Sequence, residues 1–157
     1  MDSITDQDRG SLGGRASILW RQKREHVRLD RLLDDLAAAG SPEEEQRVLA
    51  RIARLVFPHA FAEESVLWPA ARRTLERGES LTMDVEREHQ EVNELWTALE
   101  AYGLEADGLE PAHRQATLRR LADVLREDVR DEEDRLLPEL QAKLDPRSLR
   151  TVGLVWE

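Results

Sequence analysis

Cysteine does not occur in the chain, and its absence excludes disulfides, thiolate metal sites and thiol nucleophiles. Aromatic residues make up only 4% of the 157 positions, and glycine only eight of them. What remains is rich in Ala, Leu, Glu and Arg and is 36% charged, a mix that favours helices with strongly solvated outer faces. Positive charge is in deficit. The formal net charge of −10 argues against a nucleic-acid partner and against an anionic membrane surface. No apolar run approaches the length of a membrane span, and the opening stretch "MDSITDQDRGSLGGR" lacks the charged-then-apolar order of a signal peptide. A soluble, cytoplasmic protein is expected, of one domain with a sizeable core. Residues 1–15, polar and with three glycines, are expected to form a flexible arm.

Four helical segments follow. The first runs from about Ala16 to Ala39. The second opens at "SPEEE", with Ser41 as cap, Pro42 in the first turn and acidic residues behind it. It reaches about Glu76, with Pro58 and Pro69 each expected to kink it or cost it a hydrogen bond. The third lasts from Ser80 to Tyr102–Gly103, and after the loop "GLEADGLEP" the fourth runs from Pro111 to Leu144. Each carries one apolar stripe at helical spacing: Leu29, Leu33 and Leu36; Ile52, Val56 and Leu67; Val85, Val92 and Trp96; Leu121, Leu125 and Leu136. The fold class expected is therefore all-α. Residues 16–144 should form an up-down-up-down four-helix bundle, followed by a tail over 145–157 in which Asp145-Pro146 begins a short helical turn.

The four segments form two related pairs. "HAFAEESVLWP" (59–69) and "DVRDEEDRLLP" (128–138) align at an offset of 69. "REHVRLDRLLDDL" (24–36) likewise aligns with "REHQEVNELWTAL" (87–99). Two related hairpins would build a site with approximate two-fold symmetry. Polar residues mark where that site lies. His26, His59 and His89 fall on the interior stripes, as do Glu63, four beyond His59, and the pair Asp128 and Glu132. A buried carboxylate is costly unless it is paired or holds a metal. Two i, i+4 pairs and two further histidines, with at least one group from each helix, fit an inward-facing metal site in a bundle. Imidazole and carboxylate together suit iron or manganese. Glu63 and Glu132, from opposite repeats, are placed to bridge two ions, with the histidines as terminal ligands.

The chain resembles the hemerythrin-like family, or HHE cation-binding domain. The family pattern is a histidine on helix 1, H-x-x-x-E on helix 2, a histidine on helix 3 and H-x-x-x-E on helix 4. Here the matching stretches are "REH" at His26, "HAFAEE" over His59–Glu64, "REH" at His89 and "DVRDEE" over Asp128–Glu133. The resemblance covers residues 16–144. It implies a non-haem di-iron centre with an oxo or hydroxo bridge, and dioxygen, peroxide or nitric oxide as the small ligand.

Asp128 stands where the family has its fourth histidine. It could still bind metal, directly or through water, giving a harder site with three histidines and three carboxylates. It could be too short to reach, leaving one iron with an open position. Or the second position has decayed, and the domain holds one ion, another metal or none. Glu64 and Glu133 are expected to be outward-facing charges. Glu25 and Glu88 are either surface residues or acceptors for the ligand histidines, and His113 is a surface residue. Trp20, Trp68 and Trp96 are expected in core packing. Binding of a small oxidant is the leading reading, with peroxidase-like, catalase-like or nitric oxide-handling turnover left open. An iron- or oxygen-responsive regulatory module, met by a partner at the arm or tail, stays beside it.

Overall fold

The computed structural model describes residues 1–104 and 111–156, with the backbone alone for residues 102–104. Most of the loop expected over "GLEADGLEP", and the side chain of Tyr102, lie outside the described residues. Among the described residues all regular structure is helical. The long helices are α1 (Ile18–Ala38), α2 (Pro42–Ala62), α4 (Gly78–Leu104) and α5 (Pro111–Asp131). Short helices α3 (Trp68–Thr74) and α6 (Leu137–Lys143) continue α2 and α5, and α7 (Pro146–Val155) closes the chain. Caps expected from the sequence are formed: the Ser41 side chain accepts from the Glu44 amide and the Asp145 side chain from the Ser148 amide, each satisfying an orphan first-turn donor.

Each junction between a long helix and its continuation is a π turn, Glu63–Leu67 after α2 and Glu132–Leu136 after α5. The Trp68 amide donates to the Glu63 carbonyl and the Leu137 amide to the Glu132 carbonyl, a reach of five residues in place of four. Pro69 and Pro138 explain the position of these turns. A proline lacks the amide an α-helix needs and its ring collides with the carbonyl four residues back, here Ser65 and Asp134. The wider turn relieves both demands. The cost expected at Pro69 thus appears as a π turn that begins on the glutamate.

Helix α1 packs on α2, α4 on α5, α3 on α4, and α7 on α1. The apolar side chains divide into two layers. One contains Leu29, Leu33, Ile52, Val56, Leu121 and Leu125; the other contains Leu19, Leu67, Trp68, Val85, Leu136 and Leu140. Between them, at one level, every long helix presents polar groups: His26 on α1, His59 and Glu63 at the end of α2, His89 on α4, and Asp128 and Glu132 at the end of α5. A polar layer is therefore held between two apolar ones.

Both chain ends differ from expectation. The first fifteen residues pack against the bundle instead of forming a free arm, with Ile4 and Leu12 fully buried in the second layer. Lys23 Nζ donates to the carbonyls of Thr5 and Gln7 at 2.7 and 2.6 Å. Each buried aliphatic side chain contributes about 1.5–3 kcal/mol, enough to outweigh the glycines that suggested looseness. The tail forms a ten-residue helix, longer than the single turn expected. Leu149 is buried, and a Cβ at Gly153 would overlap the Ala16 carbonyl at the entry to α1. Gly153→Ala should therefore undock α7 and cost about 1–3 kcal/mol. Urea denaturation checks this, and an unchanged midpoint would mean that α7 adds nothing to stability.

Candidate metal centre

The structure brings together all six residues singled out from the sequence. Candidate ligand atoms form two groups, in each of which they lie within 4.8 Å of one another: His26, His59, Glu63 and Glu132 in the first, His89, Asp128 and Glu132 in the second. Glu132 belongs to both. Glu63 spans them, with Oε1 2.9 Å from His59 Nε2 and Oε2 3.2 Å from His89 Nε2. His26 Nε2 lies 3.1 Å from Glu132 Oε2 and 3.3 Å from His59 Nε2, and His89 Nε2 lies 3.5 Å from Asp128 Oδ2. Glu63 and Glu132 are fully buried, and His26, His89 and Asp128 are buried as well.

Each histidine turns its other ring nitrogen outward onto a carboxylate. His26 Nδ1 bonds Glu133 at 2.8 Å, His59 Nδ1 bonds Glu25 at 2.6 Å, and His89 Nδ1 bonds Glu64 at 3.2 Å. These contacts follow the sequence repeat. His26 to Glu133 and His89 to Glu64 are equivalent, each crossing from one hairpin to the other. His59 to Glu25 lies within the first hairpin, and its equivalent joins Asp128 to Glu88. There no imidazole is present, and among the described residues the buried Glu88 Oε2 and Asp128 Oδ1 have no hydrogen-bond partner.

A histidine that donates from Nδ1 to a carboxylate presents a lone pair at Nε2, the tautomer that metal-ligating histidines adopt. Three such nitrogens therefore face three buried carboxylates. Among the described residues Asp128 Oδ1 and both Glu132 oxygens have no hydrogen-bond partner, and Glu63 Oε2 faces the His89 nitrogen. Gln22, which donates to Glu63 Oε1 at 2.9 Å, serves a single oxygen. In the ion pairs of Glu63, Asp128 and Glu132 the partner is histidine every time. Acceptors that face acceptors inside a protein need cations between them. The nitrogen and oxygen donor set, at this spacing, fits divalent or trivalent iron or manganese.

Without metal, the same deficit draws protons. Burial alone would lower the His59 pKa, but the Glu63 charge and hydrogen bonds to Glu25 and Glu63 lift it to about 9. Burial opposes protonation of His89 too, yet hydrogen bonds to Asp128 and Glu63 push it up to about 12. Burial works against the Glu63 charge and is outweighed by His59 and His89, which hold that carboxyl well below its ordinary range. Burial drives Glu132 well above the ordinary range, with the charges on Glu63 and Asp128 adding to it. Asp128 is raised by burial, against the pull of His89. Burial and the Asp128 charge likewise push Glu88 up to about 8.

Three groups at the site were not placed there by the sequence. Glu133, expected outside, is buried beneath His26, where Ser3 and Thr5 of the N-terminal segment also bond it. Glu64, half exposed, leans back onto His89. Gln22 gave no signal, since one glutamine four residues before a histidine is ordinary on a helix. Glu25 acts as an acceptor, one of the two roles expected for it. His113 is exposed near the start of α5, and Trp68 is buried with its ring 4.7 Å from that of His89.

The fold and the site define a helical domain with a buried histidine and carboxylate cation centre. The model of the hemerythrin HHE cation-binding domain matches residues 17–140, and the chain belongs to that family. No curated protein and no solved structure matches it significantly.

The raised groups set a pH dependence. His59 and His89 have folded pKa values above the ordinary 6.5, so their contribution to stability is complete below pH 6.5 and is lost as pH rises through about 9 for His59 and toward about 12 for His89. Glu132, also raised, acts in the same direction above its ordinary 4.5. The metal-free protein should therefore lose Tm steadily from pH 6.5 to about 9, and a bound divalent ion, which replaces those protons, should flatten the fall. Thermal melts across that window with and without the ion check this. A metal-free Tm that climbs with pH would show that the protons are not held here.

Proposed function

We propose that the chain is a hemerythrin-like non-haem di-iron protein that binds or reduces a small oxidant: dioxygen, peroxide or nitric oxide. The observation that carries this reading is the pairing of two ligand groups through shared Glu132 and spanning Glu63. His26 and His59 would hold one ion and His89 and Asp128 the other, with both glutamates common to them. Bound iron would supply Lewis acidity and redox capacity. The chain's own residues supply the rest. Glu133, Glu25 and Glu64 orient the three imidazoles, and the apolar layers above and below keep bulk water out.

A cavity of about 30 Å³ adjoins His26, His59, His89 and Asp128 and is otherwise walled largely by apolar side chains, among them Leu29, Val56, Phe57 and Leu125. It has room for a diatomic or peroxide-sized molecule. The reading takes the long helices as an up-down-up-down bundle, which the packing of α1 on α2 and of α4 on α5 supports. It also takes the setting as cytoplasmic and excludes nucleic acid and membrane as partners. No helix among the described residues is long and apolar enough to cross a membrane. A second reading, a regulatory module that responds to iron or oxygen, is favoured by one observation: residues from both chain ends touch the outer carboxylates and histidines of the centre.

Protein purified without added metal should contain about two irons per chain, as carboxylate-bridged bundle sites do. Its absorption bands should change on addition of azide or peroxide. Elemental analysis and a visible spectrum of one sample check both; a folded protein with no bound metal would remove the oxidant chemistry. Asp128→His supplies the imidazole that Glu88 is placed to accept from, and should tighten binding of the second ion by about 10-fold or more while shifting the spectrum. Unchanged metal content and spectrum would place Asp128 away from the ions.

A further inference from the structure

Two segments remote in sequence reach the outer side of the centre, one at Glu133 and the other at His59, and both serve the first ligand group. At the N-terminus, Ile4 is fully buried and anchors its neighbours. The Thr5 hydroxyl donates to Glu133 Oε2, and Ser3 Oγ donates to the Glu133 carbonyl at 3.4 Å. The other oxygen of that carboxylate accepts from His26 Nδ1. At the C-terminus, α7 is seated on α1 through Leu149 and Gly153. It delivers Trp156, whose ring meets that of His59 edge-on at 5.2 Å between centroids. Glu25 accepts from Nδ1 of that same histidine at 2.6 Å.

Among the described residues the outer carboxylates of the second group have no such support. Glu64, which orients His89, is 50% exposed, and Glu88 meets Asp128 where the repeat would have an imidazole.

We propose that Thr5 and Trp156 are positioning residues of the metal centre: Thr5, acting through Glu133, and Trp156, packed edge-on against the His59 ring, fix His26 and His59 and make the position those two histidines share the tighter of two ion sites. The ions then bind in order, first at His26, His59, Glu63 and Glu132, and afterwards at His89 and Asp128. This inference rests on the metal reading above. Fixing an imidazole through its outer partner is worth about 10- to 100-fold in metal affinity, and the two chain ends share that effect on one ion.

Titration of the full-length, metal-free protein with Zn²⁺ against a chromophoric chelator separates the two binding steps. Thr5→Val keeps the side chain's shape but removes the hydroxyl, and Trp156→Ala removes the ring that meets His59. Each should weaken the first step by about 10-fold and leave the second unchanged, whereas Glu64→Gln should weaken the second alone. Thr5→Ser, which keeps the hydroxyl, should restore wild-type affinity, and circular dichroism should report the same helix content throughout. Wild-type first-step affinity in both Thr5→Val and Trp156→Ala would overturn the inference while leaving the metal reading intact. Equal weakening of both steps would overturn the ordered binding. A wild-type protein that takes up neither Zn²⁺ nor Fe²⁺ would overturn this inference and the metal reading together.

Discussion

The rest of the structure is arranged around an excess of hydrogen-bond acceptors at one level of the bundle. Three carboxylates and three imidazole nitrogens converge there, and among the described residues Asp128 Oδ1 and both Glu132 oxygens have no hydrogen-bond partner. Burying such groups uncompensated costs several kcal/mol for each ion, a large fraction of the net stability of a domain this size. The two apolar layers therefore do more than fill space. They provide the burial energy that holds the acceptors together, and by excluding water they sharpen the demand for a cation. Protons meet that demand incompletely, since raising His59 and His89 still leaves Glu132 and Asp128 displaced from their ordinary ionisation.

Much of this was legible in the sequence. Apolar spacing identifies the long helices, and Ser41-Pro42 and Asp145-Pro146 mark helix starts because caps are local chemistry. The six central residues are visible because a charged group on an apolar stripe contradicts its surroundings, and because the contradiction occurs twice at matching offsets. The repeat also makes Asp128 conspicuous as the one position where the two halves disagree in ligand chemistry.

What was not legible depends on contacts distant in sequence or on departures from α geometry. Ile4 and Leu12 are isolated apolar residues in a polar stretch, and only the surface they meet reveals them as core. Trp156 looks like the end of a tail until α7 is seated by Gly153. Glu133 was expected outward, and only the N-terminal segment that meets it, through Ser3 and Thr5, reveals it as buried. The outer carboxylates carry no periodic signature of their own, since a glutamate beside a histidine on a helix is common whether or not it supports a ligand.

The paired π turns have a consequence for angular phase. An α-helix advances by about 100° per residue, so a residue inserted by a wider turn rotates everything beyond it by roughly that amount relative to everything before. Glu63 and Glu132 begin these turns, and Leu67–Trp68 and Leu136–Leu137 end or follow them. The face that carries ligands and the face that packs the adjoining apolar layer are thereby set independently within one continuous rod. The glutamates can point at the ions while the residues beyond them point at Leu19, Val85 and Leu140, with neither orientation dictating the other.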